Sequence, residues 1–141
     1  MLKSLSWLSL IAFLLVAPAH AEQKKQLGDW DIHYIAFNST FLTPDIARSY
    51  NLSRSGKQAV INISVLDKNT QQAQAVNIGG IARNLLGQQR PLTFSEIKDG
   101  DAIYYIAVLP FSNEDFFRFS LDIVQGNKRQ QLNFEQTFYT E

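Results

Sequence analysis

The chain has 141 residues, 13 basic and 13 acidic side chains, a formal net charge of zero and no cysteine. That balance lacks the clustered basic surface that nucleic acid or an anionic membrane requires; the only basic doublets are Lys24-Lys25 and Lys128-Arg129. Without thiols there are no disulfides, thiolate metal sites, covalent haem or acylated N-terminal cysteine.

Lys3, the apolar run Leu5 to Val16 and the small-x-small tripeptide Ala19-His20-Ala21 read as a cleavable export leader. The run is too short for a comfortable membrane span, so no span is expected after cleavage. Cleavage is expected after Ala21, which makes 1–21 the signal peptide and 22–141 a single domain. About 120 residues can bury about two-thirds of their unfolded surface. Losing Lys3 leaves a net charge near −1. The style of the leader points to a bacterium and to the periplasm.

Glu22 to Gln26 is polar and is expected to fray. From Asp29 to Phe37, Trp30, Ile32, Tyr34 and Ala36 alternate with Asp29, Asp31 and His33, the period of a half-buried strand. Thr43-Pro44-Asp45 has the cap, first-turn proline and acidic residue of a helix start, which predicts a short helix over 44–50. Its shared face (Ile46, Ala47, Tyr50) is expected to lie on the sheets.

Gln58 to Leu66 is a strong strand with Ala59, Ile61, Ile63 and Val65 on one face. Ala73 to Ala82 is strand-like, and Gly79-Gly80 within it suggests a bulge or a close backbone approach. Leu92 to Ile97 reads as one short strand, and Asp99-Gly100 as a hairpin turn. Ala102 to Phe111 is apolar on both faces, as in a covered central strand or one that shows an apolar surface to a partner. Phe117, Phe119, Leu121 and Ile123 form a one-face-buried strand, and Leu132, Phe134 and Phe138 mark the last. The sum is an all-β chain: an antiparallel, immunoglobulin-like β-sandwich of about seven strands with one short helix after the first strand. A small closed barrel is the alternative.

His33 is the one histidine beyond the leader, and Asp29, Asp31, Ser39 and Ser64 are its conceivable catalytic company. No Gly-x-Ser-x-Gly elbow supports a nucleophile, so no catalytic residue is assigned. One histidine without cysteine cannot build a zinc set, and Asp99-Gly100-Asp101 lacks the later ligands of a calcium loop. No metal and no cofactor are therefore expected. Tyr34, Tyr104 and Tyr105 with Trp30 are candidates for an aromatic platform, although strands and cores also select such residues. Asn62 interrupts an apolar strand and is expected to be a structural amide that pins a loop such as Asn38 to Thr43.

Trp30 to Phe37 with His33-Tyr34, Phe41-Leu42-Thr43-Pro44, Tyr50, Asn62-Ile63-Ser64-Val65, Asn84-Leu85 and Ile103-Tyr104-Tyr105 together resemble the DUF4426 family. The resemblance runs from Leu27 to Tyr139. It implies an exported gammaproteobacterial protein of unknown function with a small β-rich domain, and it carries over no catalytic residue. The function expected is a non-enzymatic periplasmic module that binds a protein or envelope component by edge pairing or an apolar face. The competing expectation is a small-ligand or carbohydrate binder, or a hydrolase, centred on His33, Tyr34 and Asn38.

Overall fold

The structure, a computed structural model, describes residues 22–141; the expected leader, residues 1–21, lies outside the described residues. The elements are β1 (Gln23–Leu27), β2 (Trp30–Asn38), a 3-10 turn (Ser39–Phe41), α1 (Pro44–Ser49), β3 (Gln58–Asp67), β4 (Asn77–Asn84), β5 (Gln89–Thr93), β6 (Ser95–Asp99), β7 (Ala102–Pro110), β8 (Asp115–Gln125) and β9 (Lys128–Phe138). They build two antiparallel sheets in the orders β1-β2-β3-β7-β6 and β5-β4-β8-β9. The expected β-sandwich forms, with nine strands among the described residues where about seven were read.

Both extra strands have a physical reason. The polar arm does not fray: its backbone pairs with β2 from Gln23 opposite Tyr34 to Leu27 opposite Trp30. Edge strands need no apolar alternation and are often guarded by lysine. Lys24 and Lys25 do that here, and the Lys25 ammonium donates to the Asn133 carbonyl on the neighbouring edge of the other sheet. The single strand read over Leu92 to Ile97 is two, because the chain leaves one sheet at Thr93 and joins the other at Ser95. Phe94 packs against the core at this step.

The core lies between the sheets. Ile32, Ile61, Ile63, Phe117, Leu121, Ile123 and Leu132 are wholly buried, so the alternations read in β2, β3 and β8 pack as expected. Tyr34 of β2 meets Phe134 of β9 at 4.7 Å between ring centroids, and Phe134 stacks on Phe119 at 4.5 Å. Tyr105 of β7 accepts from the Val76 amide (2.8 Å) and donates to Glu96 (3.0 Å), linking one sheet to the segment that begins β4. Burial and then the Glu96 carboxylate push the Tyr105 phenol above its ordinary value, against the lowering by the Val76 amide. β7 is covered on its inner face; on its outer face Ile106 is buried, Ala102 and Tyr104 are half-buried, and Val108 and Pro110 are exposed.

The helix starts and ends as its sequence dictates. Thr43 caps it by accepting from the Ile46 amide, Pro44 opens it, and Arg48 pairs with Asp45. Its buried residue is Ala47. Gly79-Gly80 resolves as a close approach without a bulge, since β4 pairs with β8 in unbroken register from Asn77 to Asn84. A Cβ on Gly80 would run into the Ser120 carbonyl, whereas one on Gly79 would meet nothing within 4 Å.

The two glycines therefore separate in their response to alanine. Gly80→Ala should destabilise by about 1–3 kcal/mol through overpacking. Gly79→Ala should be neutral, or stabilise by up to about 1 kcal/mol through a less flexible unfolded chain. Urea denaturation of both variants measures this, and equal effects would contradict the close approach.

Candidate functional site

The three residues proposed as one binding centre sit in three different environments. Tyr34 faces the core at 5% exposure, and burial raises its phenol pKa. His33, its neighbour, faces outward from the five-stranded sheet, as strand alternation requires. Asn38, at the end of β2, is buried at 6%. Its amide donates to the carbonyls of Gly56 (3.3 Å) and Tyr139 (3.4 Å), and its Oδ1 accepts from the Thr40 amide and hydroxyl. All of its capacity goes into holding two loops and the C-terminal segment together. The trio does not converge, and Tyr34 and Asn38 are structural.

Asn62 does not pin the Asn38 to Thr43 loop. Its Oδ1 is buried without a hydrogen-bond partner. The loop is held by Asn38 itself and by Ser39, whose hydroxyl donates to the Ser55 carbonyl (2.9 Å) and accepts from the Ser55 amide (2.8 Å). A short polar side chain at the strand end reaches the loop; one in mid-strand points at the sheet surface.

His33 does sit in a depression. An open groove of about 390 Å³ is lined by Glu22, His33, Ser64, Leu66, Gln71, Ala73, Asp101, Ala102 and Tyr104. The strands place it, because Lys24, His33 and Ser64 stand opposite one another on β1, β2 and β3. The His33 Nδ1 is 2.7 Å from Glu22 Oε1. In the neutral ring Nδ1–H then donates to the carboxylate, and Nε2 is left as the acceptor. Nε2 is buried and unpartnered, a cost of about 1–3 kcal/mol to the folded state. Nε2 therefore makes no bond to Ser64, and the row is not an assembled nucleophile and base.

One lip of the groove is the turn after β3. Gln71 adopts a positive φ of 61°, a strained conformation for a residue with a side chain. Its amide holds this turn by donating to Asp31 Oδ2 (2.9 Å) and to the carbonyls of Asp67 and Lys68. The Asp67 carboxylate accepts from the amides of Thr70 and Asn69, which draw its pKa below the usual range. The other lip is the β6–β7 hairpin, whose Gly100 takes the left-handed conformation (φ 60°) the turn needs.

The opposite end of the sandwich is apolar. Leu85 and Leu86, at the tip of the β4–β5 hairpin, are 76% and 84% exposed. Phe41, Ile46 and Tyr139 are also exposed there. The register puts them at one pole: Asn38 ends opposite Ala59, Asn84 opposite Phe117, and Phe138 opposite Asp115. Leu85 and Phe41 had been singled out from the sequence as part of the resemblance, and Ile46 on a helix face expected to lie on the sheets, where it is instead exposed. A leucine pair between two turn residues is the signal that could have marked the hairpin tip.

The family model described as a domain of unknown function, DUF4426, matches residues 24–141. A crystal structure of a DUF4426 family protein from Pseudomonas aeruginosa PAO1 is similar, with 32% identity and a TM-score of 0.75 over 85% of this chain and 96% of that one. FetP of uropathogenic Escherichia coli strain F11, as isolated, superposes with a TM-score of 0.59 at 9% identity over 86% of this chain and 96% of its own. A copper-bound variant of that FetP gives 0.60 at 10% identity, covering 86% and 97%. At such identity the FetP likeness shows the fold alone. No curated protein matches the chain.

Asn38 and Asn62 should respond in opposite ways to removal of the amide. Asn38→Ala removes a buried amide that bonds two part-buried carbonyls and the Thr40 turn, and should cost about 1–3 kcal/mol; Asn62→Val removes an unsatisfied acceptor and should be neutral or stabilising. Thermal unfolding of the two variants tests both assignments, and a destabilising Asn62→Val would overturn the second.

Proposed function

The chain belongs to the DUF4426 family, and we propose that it serves as an exported, non-enzymatic module that binds a protein partner of the bacterial envelope through the apolar pole. The observation that carries this reading is Leu85 and Leu86 standing 76% and 84% exposed on a hairpin tip. Two adjacent, solvated leucines on a built turn are costly to keep unless something covers them. Asn84 holds that turn, its Oδ1 accepting from the amides of Leu86 (3.1 Å) and Gln88 (2.9 Å). The tip is therefore presented by design of the loop, at the same pole as Ile46 and Tyr139.

Other modes of contact have less support. Every sheet edge is guarded: lysines on β1, Pro91 on β5, Glu96, Lys98 and Asp99 on β6, and the Lys25 contact on β9. Strand addition is thus disfavoured, and on the outer face of β7 the exposed residues are Val108 and Pro110, with no large apolar residue beyond Val108 open there. A protein fits better than a lipid surface, because the apolar side chains are interleaved with the polar groups of Arg54, Asn113 and Glu114, the mixed texture of a non-obligate interface. No described helix is long and apolar enough to cross a membrane.

Export is part of the same proposal. It rests on the basic start, the short apolar run and the Ala19-His20-Ala21 site. Copper is not carried over from FetP: His33 is the one histidine in residues 22–141, and no described group of three or more His, Cys, Asp or Glu side chains is placed to hold an ion.

The full chain, expressed in its host with a photo-crosslinking residue at position 85 or 86, should yield a discrete protein adduct in the periplasmic fraction. The same residue at position 100, on the far pole, should not. The mature form should begin at Glu22 by N-terminal sequencing. No discrete adduct at either leucine, or adducts to lipid alone, would overturn the reading.

A further inference from the structure

The groove beside His33 has a chemistry of its own, independent of the apolar pole. Its lining holds two carboxylates, Glu22 and Asp101, and no lysine or arginine, and the Lys24 ammonium on the same face lies 3.9 Å from the Asp31 carboxylate that pairs with it. A negatively charged ligand would meet like charge there, and a positively charged one would be favoured. Asp101, Ser64 and Tyr104 spend none of their side-chain hydrogen-bonding capacity within the protein, in contrast to Asn38, Ser39 and Asn84 at the other pole. Ser64 and Tyr104 offer hydroxyls that both donate and accept, and Asp101 offers a carboxylate that accepts. The Tyr104 ring adds an apolar, electron-rich face suited to C–H groups or to a cation. The groove's volume, about 390 Å³, falls in the small-molecule range. It continues into a second depression that shares Gln71, Ala73 and Asp101.

We infer that this groove binds a small hydroxylated cation, of which an amino sugar is the simplest representative. Tyr104 would receive the ring face, Asp101 the ammonium, and Ser64 the neighbouring hydroxyls. Glu22, held against His33, adds negative potential at the rim. The Gln71 turn fixes the wall on which the ligand rests.

Glucosamine, glucose and glucuronate have comparable size and carry positive, zero and negative charge, so they separate shape from charge. Amide NMR spectra of the labelled protein, purified after expression of the full chain, should show saturable shifts with glucosamine confined to the amides of His33, Gln71 to Ala73 and Asp101 to Tyr104. Glucose should bind more weakly and glucuronate not measurably. Asp101→Asn, a change on an exposed turn that leaves the core untouched, should weaken glucosamine at least several-fold, and Tyr104→Ala should abolish the shifts. Absence of saturable shifts with all three sugars would overturn the inference. So would equal binding of glucose and glucosamine, or binding unaffected by Asp101→Asn.

Discussion

The contact on which the structure most depends is the ring of Tyr34 against Phe134, with Phe134 stacked on Phe119. It joins β2 of one sheet to β9 and β8 of the other, where the two inner faces meet. A half-buried strand offers only alternate side chains to its partner sheet, so each sheet must be closed by large residues. Offset aromatic pairs do this with more than area, at about 0.5–1.5 kcal/mol beyond burial. Phe117 and Phe138 continue the cluster toward the apolar pole, and Trp30 and Ile32 toward the other.

That closure determines what the surface can do. Because Tyr34 is turned into the core, its neighbour His33 must point outward, and with it the cross-strand row of Lys24 and Ser64. The groove follows from that row and from the two turns beside it. At the far end, the strands run out into loops that Asn38, Ser39 and Asn84 bind by their side chains. The polar groups that hold the loops there are consumed in structure, and several apolar side chains are left to solvent among exposed charged ones. The two ends of one sandwich thus carry opposite chemistry.

The period-two alternations in β2, β3 and β8 were legible because burial on one face leaves a direct imprint on the sequence. Trp30, Ile61 and Phe119 could hardly lie elsewhere. β1 was not legible, since its strand character comes from pairing to β2 and not from its own Gln and Lys residues. The split at Phe94 was invisible for a related reason: an apolar residue reads alike whether it continues a strand or turns a corner between sheets. Among the candidate site residues, His33 was found with Ser64 named as conceivable company and Tyr104 as a platform candidate, but their meeting in one groove was not. Glu22, Gln71, Asp101 and Tyr104 reach it through register and turns, which no local pattern encodes. Tyr34 and Asn38 were grouped with it by closeness in sequence, although a strand places adjacent side chains on opposite faces.

The central claim is that Tyr34 locks the two sheets together and leaves recognition to other residues. A double-mutant cycle of Tyr34→Leu and Phe134→Leu, followed by urea denaturation, addresses it most directly. A coupling of about 0.5–1.5 kcal/mol between the two positions is expected. Additive effects, or a Tyr34→Leu variant as stable as the parent, would contradict it.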